Sequence, residues 1–302
     1  MTEKKPHSIE YMGEARNFWW NDDYLELLAK RLNLAEKSVL VDVGCGYGMM
    51  GFLLSKFMKK NAKIHGFDLE KEHIAKAKKL AAADHSGKKF SFKVADAYAI
   101  PLEDNFSDIT VCQTLLIHLK DPQRAIKEMI RITKPGGLIV AFEPNNMAGV
   151  LTIDQFSDLD LSVEEKLEET EMALRYEKGK MKLGEGFNSL GDVVPELFLK
   201  SGLKEVALWL SEKCLAIIPP YGDSPEISAR VAQMNTFMDE DLSGQSYDKH
   251  LKYYLAGGGS KEKFDKYWKR YLVKTQQLAE RLNNGSYTYA GGNIFYIVVG
   301  IK

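Results

Sequence analysis

Three glycines at alternate positions follow a short apolar run near the start of the chain. The run covers residues 38–43 and contains Asp42, and it is followed by Gly44, Gly46 and Gly48. Glycine lets the backbone turn sharply and approach a ligand without an intervening side chain. The spacing G-x-G-x-G differs from the G-x-G-x-x-G of dinucleotide enzymes, and Asp42 would repel a phosphate. The segment therefore predicts a cofactor with a zwitterionic amino-acid end, whose ammonium group Asp42 supports directly or through water.

Two more carboxylates follow predicted strands. Asp68 ends the strand over residues 63–67, and Asp96 follows the strand over residues 90–94. A carboxylate accepts both hydrogen bonds of a ribose diol, so Asp68 is a candidate ribose ligand. Asp96 is a candidate acceptor for an adenine amino group. Simpler interpretations stay open for both residues. Asp68 is also suited to the N-cap position of the following helix, and Asp96 is also suited to forming a turn.

The elements that must position these residues alternate regularly from about residue 38. β-Branched runs suited to buried strands are separated by segments with apolar residues at helical spacing, over residues 49–60, 74–83 and 122–133. Further strands are predicted at 107–112 and 138–142. This alternation predicts an α/β fold with a parallel sheet and right-handed crossovers.

Two insertions interrupt this pattern. The first covers residues 144–190, where Ser162 and Glu165 form a capping-box pattern that predicts a helix over 163–178, ended by Gly179. A helix at 191–201 and a strand at 205–210 then resume the core. The second insertion covers residues 216–290, and an apolar strand at 293–300 closes the chain.

Within the second insertion, two helix starts are readable. Pro225 begins one amphipathic helix, and Ser260 caps another that ends before Gly285. We expect the two insertions to lie together as a cap over the carboxyl edge of the sheet, where open α/β sheets bind ligands.

These motifs together resemble the class I S-adenosylmethionine-dependent methyltransferases. The resemblance depends on five segments in that family's order and spacing, which are residues 41–48 (VDVGCGYG), 67–68 (FD), 94–97 (VADA), 106–108 (FSD) and 134–138 (KPGGL). It is strong over about residues 36–143 and weaker over 187–211 and the last strand. It implies a Rossmann-like seven-stranded sheet in the order 3-2-1-4-5-7-6, with the last strand antiparallel.

The resemblance also implies roles for individual residues. The turn of Gly44, Cys45 and Gly46 would contact the methionine part of S-adenosylmethionine, together with Asp42. The remaining assignments are Asp68 with Leu69 for the ribose, Asp96 with Ala97 for the adenine, and Gln113, Thr114, Leu115 and His118 for the methionine and acceptor side. His118 is also the candidate general base, although many related enzymes place a histidine here without a proton-transfer role.

An aromatic segment precedes the core and surrounds one arginine. In similar enzymes such a segment closes over the cofactor, so Arg16 is a candidate partner of the cofactor carboxylate and Tyr11 a candidate shield of its sulfonium. An ordinary packed helix with a solvated arginine explains the segment equally well.

The predicted organisation is a lid over residues 1–35, a core over 36–143, 187–215 and 291–302, and a helical cap over 144–186 and 216–290.

Composition narrows the possible functions. The 302 residues include 41 Lys and Arg against 42 Asp and Glu, and 45% of them are hydrophobic. The balance of charge excludes a broadly basic protein that coats nucleic acid. The three cysteines are too few for a disulfide framework, and no motif predicts a metal site. No stretch has the apolar length of a membrane span or signal peptide, so we expect a cytoplasmic protein.

The sequence thus predicts a methyltransferase that uses S-adenosylmethionine, releases S-adenosylhomocysteine and acts on a small-molecule acceptor. RNA or protein methylation, a nicotinamide-dependent oxidoreductase and a non-catalytic S-adenosylmethionine-binding module remain as alternatives. The G-x-G-x-G spacing and Asp42 argue against the oxidoreductase. The acceptor, its reacting atom and the choice between monomer and homodimer are left open.

Overall fold

The computed structural model describes residues 14–151, 161–291 and 294–302. Seven strands form one sheet in the order β3-β2-β1-β4-β5-β7-β6. The first five strands pair in parallel, whereas β7 is antiparallel to its neighbours β5 and β6. The strands are β1 Val39–Val43, β2 Lys63–Asp68, β3 Lys89–Val94, β4 Ser107–Gln113, β5 Thr133–Asn145, β6 Lys204–Leu210 and β7 Ile294–Ile301. The predicted fold class and strand order are confirmed.

Ten α-helices occur in the described residues. They are α1 Asp22–Arg31, α2 Met49–Ser55, α3 Lys71–Ala82, α4 Pro122–Ile132, α5 Asn146–Val150, α6 Val163–Lys182, α7 Val194–Lys200, α8 Pro225–Leu242, α9 Tyr247–Ala256 and α10 Lys261–Asn283. Local signals explain several starts. Asp121 accepts the N–H of Arg124 at the start of α4, where Pro122 is the first helical residue, and Ser260 accepts the N–H of Lys263 at the start of α10.

The chain divides into two compact units. The sheet unit comprises Trp20–Pro144, Leu190–Glu212 and Phe295–Lys302, and the helical unit comprises the described residues within Met1–Trp19, Asn145–Ser189 and Lys213–Ile294. Both predicted insertions therefore contribute to one unit, and its position over the sheet stays a prediction. The boundary between the units falls after Trp19, within the lid predicted over residues 1–35, so α1 belongs to the sheet unit. There α1 buries Leu25 and Leu28, and the hydroxyl of Tyr24 donates to the carbonyl of Leu210 over 2.6 Å.

The prediction that α6 ends at Gly179 is wrong, because the helix continues to Lys182. Gly179 is instead a point of close contact between helices. A Cβ atom at this position would lie 1.7 Å from the carbonyl oxygen of Tyr253 on α9, and one at Gly257 would lie 1.9 Å from the carbonyl oxygen of Arg175 on α6. The two glycines therefore let the backbones of α6 and α9 approach each other, and neither ends the first helix.

Two other predictions of helices differ from the structure. The helix predicted over residues 49–60 stops at Ser55, because the hydroxyl of Ser55 donates to the carbonyl of Phe52 and the following N–H groups of Phe57 and Met58 bond three residues back. The helix α9 was not predicted. It has only 10 residues, and the side chain of its N-cap residue, Ser246, makes no capping hydrogen bond that would mark the helix start.

Candidate functional site

The sheet register brings the ends of the central strands together. Val43 at the end of β1 pairs with Phe67 of β2 and with Cys112 of β4. The last residue of β2, Asp68, pairs with Val94 at the end of β3. The residues that follow these strands therefore share one edge of the sheet, the carboxyl edge where parallel α/β sheets bind ligands.

The glycine turn adopts a backbone that other residues rarely adopt. Gly44, Gly46 and Gly48 have φ angles of +66°, +54° and +85°. A Cβ atom at Gly44 would also lie 2.6 Å from Cδ1 of Leu115 in the loop after β4. The alternate glycines are thus required by conformation, and at Gly44 also by close packing.

Asp68 connects this turn to the second strand. Its Oδ2 accepts the N–H of Gly46 over 2.8 Å, and its Oδ1 accepts the N–H of Glu70 over 2.9 Å and lies 3.2 Å from Nδ1 of His73. Burial opposes the charged carboxylate, but the hydrogen bonds from His73, Glu70 and Gly46 outweigh it and lower the pKa of Asp68. An ionised acceptor is therefore held next to the turn. His73 was not predicted as part of the site; its only sequence signal is its place on the first turn of the helix after Asp68.

Asp42 is buried beneath the turn. Its side chain is 1% exposed, and its Oδ2 accepts the N–H of Gly51 in α2 over 3.1 Å. Cys45 is also buried, and burial, with the nearby charges of Asp42 and Asp68, raises the pKa of its thiol well above the ordinary value. Cys45 is therefore a neutral packing residue within the turn.

The residues that follow β2 and β3 are more exposed to solvent. Leu69 is 66% exposed directly after Asp68. Asp96 uses Oδ1 to accept the N–H of Tyr98 over 2.9 Å, a turn hydrogen bond that spans Ala97. This geometry matches the simpler turn interpretation of Asp96, and its second carboxylate oxygen is a further acceptor at the same edge.

The end of β4 combines a buried donor with backbone strain. Gln113 is 6% exposed, and among the described residues its buried Nε2 has no hydrogen-bond partner. Thr114 has a φ of +49°, which is unusual for a β-branched residue, and its hydroxyl donates to the carbonyl of Gln113 over 2.8 Å. Unsatisfied buried donors and strained residues of this kind concentrate at ligand sites.

Glu143 is a second residue that sequence reasoning missed. It lies in β5 with no exposed side-chain surface, and its Oε1 accepts the N–H groups of Leu115 over 3.0 Å and Leu116 over 2.8 Å. Burial raises its pKa from 4.5 to about 7, and the backbone hydrogen bonds only partly oppose this rise. Glu143 thus holds the loop after β4 in place. A carboxylate directly after the apolar residues 138–142 is the signal that could have found it.

The remaining predicted residues lie in different parts of the chain. His118 ends the 3₁₀ turn Leu116–His118, and its N–H donates to the carbonyl of Leu115 over 3.0 Å. Arg16 belongs to the helical unit, where its guanidinium lies 4.7 Å from the ring centroid of Trp19. Tyr11 lies outside the described residues. The structure therefore brings the glycine turn, Asp42, Asp68 and Gln113 to one edge, and the roles of His118, Arg16 and Tyr11 stay predictions.

Two kinds of feature are absent from the described residues. No group of three or more His, Cys, Asp or Glu side chains there is arranged to hold a metal ion. No helix in residues 14–151, 161–291 and 294–302 combines the length and apolar character needed to cross a membrane.

Comparisons with known proteins show the family of this chain. The chain belongs to the methyltransferase domain family, whose model matches residues 34–187, and within it to the class I S-adenosylmethionine-dependent methyltransferases. S-adenosylmethionine is the cofactor of this family. The matched range contains the glycine turn, Asp68, Asp96 and the loop after β4.

Individual relatives match over shorter ranges. The chain is 33% identical over 109 residues to an uncharacterised methyltransferase of Schizosaccharomyces pombe, which covers 34% of this chain and 39% of the relative. It is 38% identical over 102 residues to the chloroplastic tocopherol O-methyltransferase of Arabidopsis thaliana, which covers 33% of this chain and 28% of the relative. The matches thus span less than half the length of these curated relatives.

Among solved structures, a proposed sarcosine dimethylglycine methyltransferase from Galdieria sulphuraria has a similar fold. The TM-score is 0.50 at 14% sequence identity, and the alignment covers 93% of this chain and 84% of the other. At this identity the likeness supports the fold alone.

Proposed function

We propose that this protein binds S-adenosylmethionine at the carboxyl edge of its sheet and transfers the methyl group to a small-molecule acceptor. The observation that carries the proposal is the hydrogen bond from the N–H of Gly46 to Oδ2 of Asp68. It couples the turn assigned to the methionine end to the carboxylate assigned to the ribose. Both halves of the site are therefore preorganised by one contact.

The residues present fit this cofactor. Asp42 and Asp68 supply carboxylates for an ammonium group and a ribose diol, and Asp96 keeps one oxygen for an adenine amino group. The buried amide of Gln113 supplies an N–H donor that lacks a partner within the part of the chain the structure describes. A carboxylate or hydroxyl of the cofactor would satisfy it and remove the cost of a buried unpaired donor.

Methyl transfer makes modest demands on the protein. The bound cofactor supplies a methyl carbon activated by a positively charged sulfur. The chain's own residues then have to hold the two reactants in line and exclude water. Glu143 contributes by fixing the loop of Leu115 and Leu116, and the strained Thr114 sets the direction in which that loop leaves β4.

A small-molecule acceptor is supported by two observations. The chain carries a formal charge of −1, which offers no general attraction for a nucleic-acid backbone. The tocopherol O-methyltransferase that it resembles is named for a small-molecule acceptor, although the match covers a third of this chain.

Calorimetry tests the cofactor, and labelled transfer tests the acceptor. We expect the full chain to bind S-adenosylmethionine and S-adenosylhomocysteine but not NAD⁺. Micromolar binding of NAD⁺ without binding of S-adenosylmethionine would overturn the proposal.

The protein is then incubated with methyl-labelled cofactor and a cell extract separated into metabolite, RNA and protein fractions. Label in the metabolite fraction supports the proposal, whereas label confined to RNA or protein refutes the small-molecule acceptor. Cofactor binding with no label in any fraction identifies a non-catalytic binding module.

A further inference from the structure

The helical unit contains a cavity of its own. It has a volume of about 650 Å³ and lies among α5, α6, α8, α9 and α10. Its walls are rich in aromatic rings, among them Tyr176, Phe237, Phe264, Trp268, Tyr271 and Tyr289. This volume is within the usual range for small-molecule sites, and flat rings favour a planar, largely apolar occupant.

The charged groups on the wall have oppositely charged side chains beside them. Glu169 lies 2.6 Å from Nζ of Lys274 and 3.8 Å from Nζ of Lys166, and Arg270 pairs with Glu168 over 2.7 Å. Each of these wall charges therefore has an opposite charge within the protein. A charged ligand would have to compete with these pairs, so the wall favours a neutral one.

The remaining acids of the wall are also engaged. Asp241 accepts hydrogen bonds from the hydroxyl groups of Tyr271 and Ser246. Glu177 accepts the N–H of Asn188 over 2.9 Å, and burial raises the pKa of its carboxyl. Neither acid is arranged as a counter-ion for a cationic ligand.

His250 on α9 is a wall residue with a ring nitrogen that can accept a hydrogen bond. Its Nδ1 lies 2.8 Å from the carbonyl oxygen of Ser246, and because a carbonyl only accepts, Nδ1 carries the proton of this bond. Burial lowers the pKa of His250, so the ring is neutral near pH 7 and Nε2 is an acceptor. Among the described residues, no group donates a hydrogen bond to Nε2. The rings of Tyr176 and Trp268 lie 5.2 Å and 5.4 Å from the imidazole and limit its movement.

We propose that this cavity binds the acceptor as a neutral, planar, largely apolar molecule, and that Nε2 of His250 accepts a hydrogen bond from its hydroxyl or N–H group. The proposal deepens the function given above and rests on it, since it assigns the cavity to the acceptor. It excludes permanently charged acceptors and molecules that carry no hydrogen-bond donor.

The test compares two probes with the same ring system, one with a hydroxyl donor and one in which a methyl group replaces the hydroxyl hydrogen. The purified full chain is titrated calorimetrically, without cofactor, with 2-naphthol and with 2-methoxynaphthalene. We expect 2-naphthol to bind about fivefold more tightly, which corresponds to one net hydrogen bond. His250→Phe keeps a ring but removes Nε2, so both probes should bind it equally. His250→Gln provides an amide oxygen and should restore part of the preference for 2-naphthol.

A substitution that fills the cavity tests whether the probes bind there. Ala173 lines the cavity on α6, and Ala173→Trp should abolish binding of both probes while circular dichroism shows a folded protein. No detectable binding of either probe to the unsubstituted chain would overturn the proposal. Unchanged binding to folded Ala173→Trp protein, or an unchanged preference in His250→Phe, would overturn it as well. S-adenosylmethionine binding is measured in the same samples. Its presence without probe binding refutes only the cavity assignment, and its absence with probe binding refutes only the proposed methyl transfer.

Discussion

Replacing Glu143 by glutamine is expected to change how the stability of the protein depends on pH. Glu143 is fully buried, and its pKa rises from 4.5 in an ordinary setting to about 7 in the folded protein. A carboxyl whose pKa is raised by folding binds its proton more tightly in the folded state. The folded state is therefore favoured at low pH, and this contribution is lost as the pH rises from about 4.5 to about 7.

The magnitude follows from the rise in pKa. At about 1.36 kcal/mol for each pKa unit, the change from 4.5 to about 7 corresponds to about 3 kcal/mol of unfolding free energy. Glutamine keeps an oxygen for the N–H groups of Leu115 and Leu116 but cannot ionise. Glu143→Gln protein should therefore be more stable than the unsubstituted protein at pH 8, and this advantage should shrink by about 3 kcal/mol as the pH falls toward 4.5.

Urea unfolding followed by circular dichroism at several pH values between 5 and 8 measures this difference. Glu128→Gln is the matched control, because hydrogen bonds from Arg131 lower the pKa of Glu128 despite the opposing effect of burial. The carboxyl of Glu128 stays ionised over this range, so the control curve should run parallel to that of the unsubstituted protein. A Glu143→Gln curve that also runs parallel would refute the assignment of a raised pKa to Glu143.

Three further substitutions test the site and the helical unit. Asp68→Ala should weaken binding of S-adenosylmethionine by roughly 1–3 kcal/mol in calorimetry, because the ribose hydroxyl groups assigned to this carboxylate would be left without their acceptor; an unchanged dissociation constant would remove Asp68 from the site. Gly44→Ala should lower the unfolding free energy by roughly 1–3 kcal/mol, since its φ is +66° and the added methyl meets the loop after β4, and equal denaturation midpoints would contradict this. Gly179→Ala should destabilise the helical unit by about 2 kcal/mol or more, because its Cβ would lie 1.7 Å from the carbonyl oxygen of Tyr253. The control Gly222→Ala, with open space around its Cβ, should leave the midpoint within experimental error, and equal effects of the two would argue against a tight helix contact.

Local sequence patterns predict much of the fold. The alternation of buried runs and helical segments is enough to predict the strands of the sheet. The caps at Ser162 and Ser260 and the proline at position 225 mark helix starts that the structure contains. These signals are local because a strand or cap depends on residues a few positions apart. The same holds for the glycine turn, whose three positive φ angles follow from three glycines in five residues.

The sequence could not reveal features that depend on distant residues. Gly179 looked like a helix end, yet it allows α6 to contact α9, some seventy residues later in the chain. The burial of Glu143, and hence its raised pKa, results from packing of the whole sheet core around β5. The cavity with His250 forms only when five helices from both insertions come together. The order of residue types along the chain therefore determined the elements and the turn, whereas burial and close approach, which set pKa values and build cavities, were decided by the tertiary structure.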